Sequence, residues 1–185
     1  MPLSSAMSDA SAISLQELNL FHIFRGLSEE KLASVRNIME IQHFGAGEIV
    51  IRDGEVGETL YLLIDGEVEV TKALVLRMSR QEVDQTDKSL IRLSSDAHPV
   101  FGKPVFGEMA LFSEQSKRTA TVTTIRPSTL GVIYQKPFFD LCEADMEVGY
   151  RVARTVACML SERLDKANQD VLNLTTALSF VLASH

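Results

Sequence analysis

Three side chains in one short stretch have the types and spacing to bind a ligand together. They are Glu108, Arg118 and Thr119, in FGEMALFSEQSKRTATV, residues 106–122. Gly107 lets the backbone approach a ligand without a Cβ in the way. Glu108-Met109-Ala110-Leu111 reads as one helical turn, whose free N–H groups favour an anion. Arg118 can hold a phosphate through two hydrogen bonds. Glu108 would repel a phosphate placed directly on it. It fits a ligand that also offers hydroxyls a few ångströms away, because a carboxylate accepts two such bonds, or one plus Arg118. A single phosphate charge beside a ribose hydroxyl meets both demands. A triphosphate would need a lysine and a metal seat, and the chain has no G-x-x-x-x-G-K-[ST] pattern.

Such a site needs elements to position it. Residues 1–14 are small and polar and read as a disordered start. Ser28 is a helix cap for GLSEEKLASVRNIM, with Leu32, Val35 and Ile38 at helical spacing facing inward. From residue 41 the period becomes that of strands, expected at 41–44, 48–53, 59–64 and 66–77. Asp53-Gly54 and Asp65-Gly66 are turn signals between them. RMSRQEVDQTDK reads as a polar loop, SLIRLSS as a strand, and DAHPVFGKPV as a second loop. Residues 118–125 and 129–134 are closing strands, with Pro127 as the turn. Pro137–Glu143 is a short helix. A long helix runs from Asp145 to about Leu182, with Gly149 its one weak point.

In that helix Leu160, Leu164, Ala167, Val171, Leu174, Leu178 and Val181 step by four and three, a heptad seam. At about 38 residues it is near 57 Å long, more than a small barrel can cover. A parallel homodimeric coiled coil is the expected partner, and an intramolecular or heteromeric groove is the alternative.

The totals set bounds. The 185 residues, 45% of them hydrophobic, suit one globular domain plus an extra element. Lys+Arg 18 against Asp+Glu 25 gives −7, and no basic run is present, which argues against nucleic-acid binding. No signal peptide or membrane span is read, so a cytoplasmic location without a membrane partner is expected. Cys142 and Cys158 lack metal or redox spacing and read as packing residues. No metal site is read.

The run 106–122 resembles the phosphate-binding cassette of the cyclic nucleotide-binding domain, the family of the cyclic-AMP receptor protein and of kinase regulatory subunits. GEVGETLYLLIDGEVEV (54–70) is similar to its glycine-punctuated barrel signature, and IFRGLS (23–28) to its leading helices. The resemblance covers about residues 15–165. It implies a mainly β fold, a jelly-roll barrel with flanking helices, divided here as 15–143 for the barrel and 144–185 for the helix. It implies Glu108 as acceptor of the ribose 2′-hydroxyl and Arg118 as ligand of the equatorial phosphate oxygen. Gly107, Met109 and Ala110 would give backbone contacts. Thr119 and Ala120 would supply a hydroxyl and an N–H. Arg163 and Leu164, on the long helix, would lie near the base, with Leu93 on its other face. The ligand would be cyclic AMP or cyclic GMP, with no further cofactor.

The chain departs from the family in two places. Residues 78–105 are longer than the usual hairpin, and Lys117 stands where many members have proline. Only three residues follow Leu182, so an effector is expected in a partner protein or in a longer chain of which this is a fragment. A degenerate dimerisation module without ligand is the competing reading. A haem sensor using Pro2 and a histidine is another. An enzyme is not expected, since His22, His43, His98 and His185 sit apart without a nucleophile.

Overall fold

A computed structural model describes residues 13–79, 82–96, 98, 102–112 and 117–183. Side chains are described for these except residues 73–79, 82–88 and 110. The expected disordered start falls outside the described residues up to position 12. Beyond it, Ile13 is buried and Ser14 caps the first helix by accepting from the Glu17 N–H at 3.0 Å.

Helix α1 (Leu15–Leu18) leads through a 3-10 turn (His22–Phe24) to α2 (Glu29–Asn37). Ser28 caps α2 through Lys31 N–H, with Glu29 and Glu30 at the positive end of the helix dipole. Strands follow as β1 (Met39–Phe44), β2 (Ile49–Ile51), β3 (Thr59–Ser79), β4 (Glu82–Ser94), β5 (Val105–Phe106) and β6 (Thr121–Tyr134). Between β5 and β6 lies the single turn α3 (Met109–Phe112). The chain closes with α4 (Gln135–Ala144) and α5 (Met146–Ala183).

All strand pairs are antiparallel. The main path runs β1-β6-β3-β4, with β2 on β6 and β5 on β3, and it is not closed. Two sequence expectations are corrected. Asp65-Gly66 is not a turn between strands but a bulge inside β3, where the pairing register with β6 shifts on both sides of Asp65. Gly66 has φ +116, and a Cβ there would meet Ser128 Oγ at 2.1 Å. Pro127 is likewise no turn. It sits in β6 opposite that bulge, between the partners of Asp65 and Glu67, where the ladder asks no N–H of it.

A third correction concerns residues 77–88. The described part of the expected loop, 77–79 and 82–88, is strand, within a ladder paired from Glu67↔Ser94 to Ser79↔Glu82. Its polar sequence lacks the apolar alternation that signals a strand, and the backbone pairing with β3 defines it. Beyond Thr71 the β3 strand leaves β6 and pairs with β4 alone.

The core has two parts. One lies under the helices, where Phe21, Phe24, Leu32, Val35, Phe138, Val148, Val152 and Val156 are buried together. The other lies within the sheet, from Ile51, Leu63, Val68, Phe106, Val122 and Leu130. Val148, Val152 and Val156 anchor the first three turns of α5 on the body, with Met159 and Leu160 partly buried against the same core. Asp145 caps it, accepting from Glu147 and Val148 N–H at 3.0 and 3.4 Å, and is itself ion-paired with Lys31 of α2. Gly149 lets α5 pass close to α4, since a Cβ would lie 3.0 Å from that of Cys142. From Ser161 to Ala183 every residue of α5 is exposed.

Candidate functional site

Arg118 is the centre of the site. It is buried at 9% exposure, and three backbone contacts fix its place. Its N–H donates to Glu55 O at 2.8 Å, its carbonyl accepts from Gly54 N–H at 2.9 Å, and Lys117 bridges to Val56. The glycine-rich loop 54–58 is therefore the cradle of the arginine. The guanidinium is aimed by β3, donating through Nη2 to Thr59 O at 3.0 Å and Thr59 Oγ1 at 2.7 Å. Nη1 reaches Gly107 O at 3.4 Å, and Cζ lies 5.9 Å from the ring centroid of Tyr61. Tyr61 in turn stacks on Phe106 at 5.2 Å, its register partner across β3 and β5. Burial pushes the guanidinium below its ordinary value, opposed by Tyr61 and Glu108. It stays a cation at neutral pH.

Two glycines make room for it. A Cβ on Gly57 would lie 2.2 Å from Arg118 Nε. On Gly107, at φ +78, it would lie 2.8 Å from Nη1 and from Thr59 O. Neither position tolerates a side chain while the arginine stays where it is.

Glu108 follows at the start of α3. It is 3% exposed, a costly place for a carboxylate unless paired. The structure pairs it with Arg163 of α5, not with Arg118. Gln135 of α4 donates to Leu111 O at 3.0 Å, and Phe112 meets Phe138 edge to face at 6.3 Å, so α3 is tied to the helices on its other side. Residues 113–116, between α3 and Lys117, lie outside the described residues.

These groups border an open cleft of about 1110 Å³. Of the residues expected at the site, Gly107, Glu108, Met109, Arg118, Thr119, Ala120 and Arg163 line it, and so does Leu93. Ala110 is in α3, and Leu164, on α5, is outside the lining. Leu164 is 61% exposed. The carbonyl of Thr119 accepts from Lys72 Nζ at 2.6 Å, and Lys72 also meets Asp53 Oδ1 at 3.3 Å. One wall is apolar, with Val70, Leu90, Ile91 and Leu93. The wall from α5 is polar, with Arg163, Lys166, Ala167 and Asp170.

Sequence reasoning missed two sets. Gly57, Thr59 and Tyr61 hold Arg118, although GEVGETLY carries them with conspicuous glycines. Lys166, Ala167 and Asp170 follow Arg163 at three, four and seven positions, the spacing of one helix face. That spacing was the available signal. Chemically, the cleft offers a buried cation and a buried carboxylate on one wall, with an apolar slot alongside. Among the described residues no group of three or more His, Cys, Asp or Glu could hold a metal ion. Also among them, no helix is long and apolar enough to cross a membrane.

No family model matches the chain. It is 30% identical over 126 residues to cGMP-dependent protein kinase, isozyme 1, of Drosophila melanogaster, covering 65% of this chain and 15% of that protein. It is 30% identical over 120 residues to the cAMP-dependent protein kinase regulatory subunit of Dictyostelium discoideum, covering 65% of this chain and 33% of that one. The chain thus spans a third or less of the length of these relatives. Its fold matches a cyclic nucleotide-binding domain from Methylobacillus flagellatus with TM-score 0.65 at 18% identity, covering 85% of this chain and 80% of that one. This chain is a relative in sequence of cyclic nucleotide-dependent kinases and their regulatory subunits, and it has the fold of a cyclic nucleotide-binding domain.

Proposed function

We propose that the chain is a non-catalytic, cytoplasmic sensor that binds cyclic AMP or cyclic GMP and reports occupancy through α5. The observation that carries this reading is the buried Arg118 beside the buried Glu108 on one wall of one cleft. Arg118 takes the phosphate charge through two parallel hydrogen bonds. Glu108 accepts from the ribose 2′-hydroxyl. Gly107 keeps the backbone close, and the N–H groups of Met109, Ala110 and Ala120 supply donors around ribose and phosphate. Thr119 adds a hydroxyl, worth about 1 kcal/mol, which is too little to choose between the purines. The base lies in the slot between the apolar wall and α5, with Arg163 and Leu164 as its neighbours.

Signalling follows from α5 contributing a wall of the same cleft. A ligand shifts the helix only by contacts that differ between two helix positions. The hinge is Asp145, between α4 and α5. The exposed seam of Leu164, Val171, Leu174, Leu178 and Val181 supports a homodimer through α5 and a partner effector protein reading its position. Calorimetry with cyclic AMP and with cyclic GMP, on the parent chain and on Arg118→Ala, tests the ligand. Heat with at least one nucleotide, lost in the variant, is expected, and no heat with either overturns the reading. Protease cleavage within 140–165 is expected to change on binding. Unchanged digestion removes the helix shift.

A further inference from the structure

The described molecule offers several other candidates. A second cavity, of about 230 Å³, opens behind Arg118 among loop residues 55–58. A cationic group, Lys31, joins α2 to the α5 hinge. The feature that carries furthest is the ion pair between Glu108 and Arg163, because it joins the floor of the cleft to the helix that walls it.

We infer that Arg163 is a charge latch that competes with the ligand for Glu108, so that it lowers nucleotide affinity rather than raising it. This rests on the function proposed above. Glu108 is 3% exposed, so a ligand hydroxyl has almost no open approach to its carboxylate. The Arg163 guanidinium is paired with it, Nη1 donating to Oε1, while the Arg163 side chain is 54% exposed. An arginine with that much exposure can swing into water, provided a ligand hydroxyl replaces its bond to Glu108. A glutamate this buried cannot follow it. The carboxylate is thus fixed and the arginine is the mobile partner. A 2′-hydroxyl must take the place of a charge-assisted bond, and the arginine that leaves is on α5.

α5 reaches the cleft past its last buried residue, Val156, with Met159 and Leu160 partly buried against the core about one turn before Arg163. Val148, Val152 and Val156 pack the root of the helix, and the pair with Glu108 is a polar tie beyond them. Breaking that tie from the cleft side is a physical route from ligand to helix. A protein whose competent form is only partly populated shows its affinity reduced by that fraction.

The test uses the full chain and two measurements. Hydrogen exchange of residues 157–170 without nucleotide reads the latch directly, comparing the parent with Arg163→Ala and Glu108→Gln. Faster exchange in both variants is expected, and exchange equal to the parent overturns the latch. Calorimetry with cyclic AMP and cyclic GMP reads the competition. Arg163→Ala is expected to bind about three- to tenfold more tightly, with the gap narrowing as salt screens the pair in the parent. Equal or weaker binding by Arg163→Ala overturns the competition, because the arginine then serves the ligand. Faster exchange with no binding by any protein overturns the proposed function and the competition with it, while leaving Arg163 as a structural tie of α5.

Discussion

Gly57→Ala should cost ligand affinity far more than stability. The added Cβ would lie 2.2 Å from Arg118 Nε and 2.6 Å from Cζ and Nη2. Ordinary contact begins at 3.4 Å, so the guanidinium must retreat by about 1.2 Å. Gly57 is not among the glycines with positive φ, so the methyl does not strain the backbone. The obstacle is the flexible end of a side chain, which gives way before the strand does. Its retreat breaks at least one of the bonds to Thr59 O and Oγ1, at 3.0 and 2.7 Å. The displaced guanidinium also forfeits at least one of its two bonds to the phosphate, and a hydrogen bond to a charged group is worth about 1.5–3 kcal/mol. At about 1.4 kcal/mol per factor of ten, cyclic nucleotide affinity should fall about ten- to a hundredfold. Gly47→Ala is the control. It has φ +80 and no atom within 4 Å of the added Cβ, so it strains the backbone by about 1–2 kcal/mol without touching the guanidinium. Calorimetry and thermal melts on both variants should show Gly57→Ala with raised Kd and Gly47→Ala with lowered Tm. If Gly57→Ala binds within twofold of the parent, or the two lose affinity equally, the cradle around Arg118 is not what sets affinity.

Three further outcomes are expected. Burial, with Asp145 nearby, pushes the Cys142 thiol up to about 11, while Cys158 is exposed on α5. Iodoacetamide at pH 8 should therefore label Cys158 first, with Cys142 labelling rising about tenfold per pH unit, as read by peptide mass spectrometry. The Lys31 hydrogen bond holds the Asp145 carboxyl below its ordinary value, so its contribution is present above the unfolded value and is lost as pH falls through the folded one. Hydrogen exchange at the start of α5 should rise below about pH 4, and Asp145→Asn should flatten that dependence. Val171→Asp with Leu174→Asp places charges in the exposed seam, where both side chains are at least 61% exposed. Light scattering should show a dimer for the parent and a monomer for the double variant, with the melting temperature of the barrel unchanged.

The helices were legible because capping and periodicity are local. Ser28 caps α2 as its position suggested, and Leu32 and Val35 are inward. The long last helix has the length its seam implied, 38 residues. The strands were legible in place but not in extent. Asp65-Gly66 looks the same in sequence whether the chain reverses there or bulges, and only the register with β6 separates the two. Residues 77–88 are polar and carry no apolar alternation, so the strand at 77–79 and 82–88 was visible only in its pairing with β3.

For the site, sequence alone determined which groups could take a phosphate beside a hydroxyl, because charge and side-chain reach belong to residue type. Glu108, Arg118 and Thr119 were therefore identifiable as a set. Tertiary structure decided whom each of them meets. Arg118 is aimed by Thr59, fifty-nine positions away, and given room by Gly57. Glu108 is paired across fifty-five positions with Arg163. Such partners are chosen by how β3, α3 and α5 pack, and a linear spacing carries no trace of that distance in space. The sequence named the charges of the cleft, and the packing of the helix against it decided which of them are held and which can move.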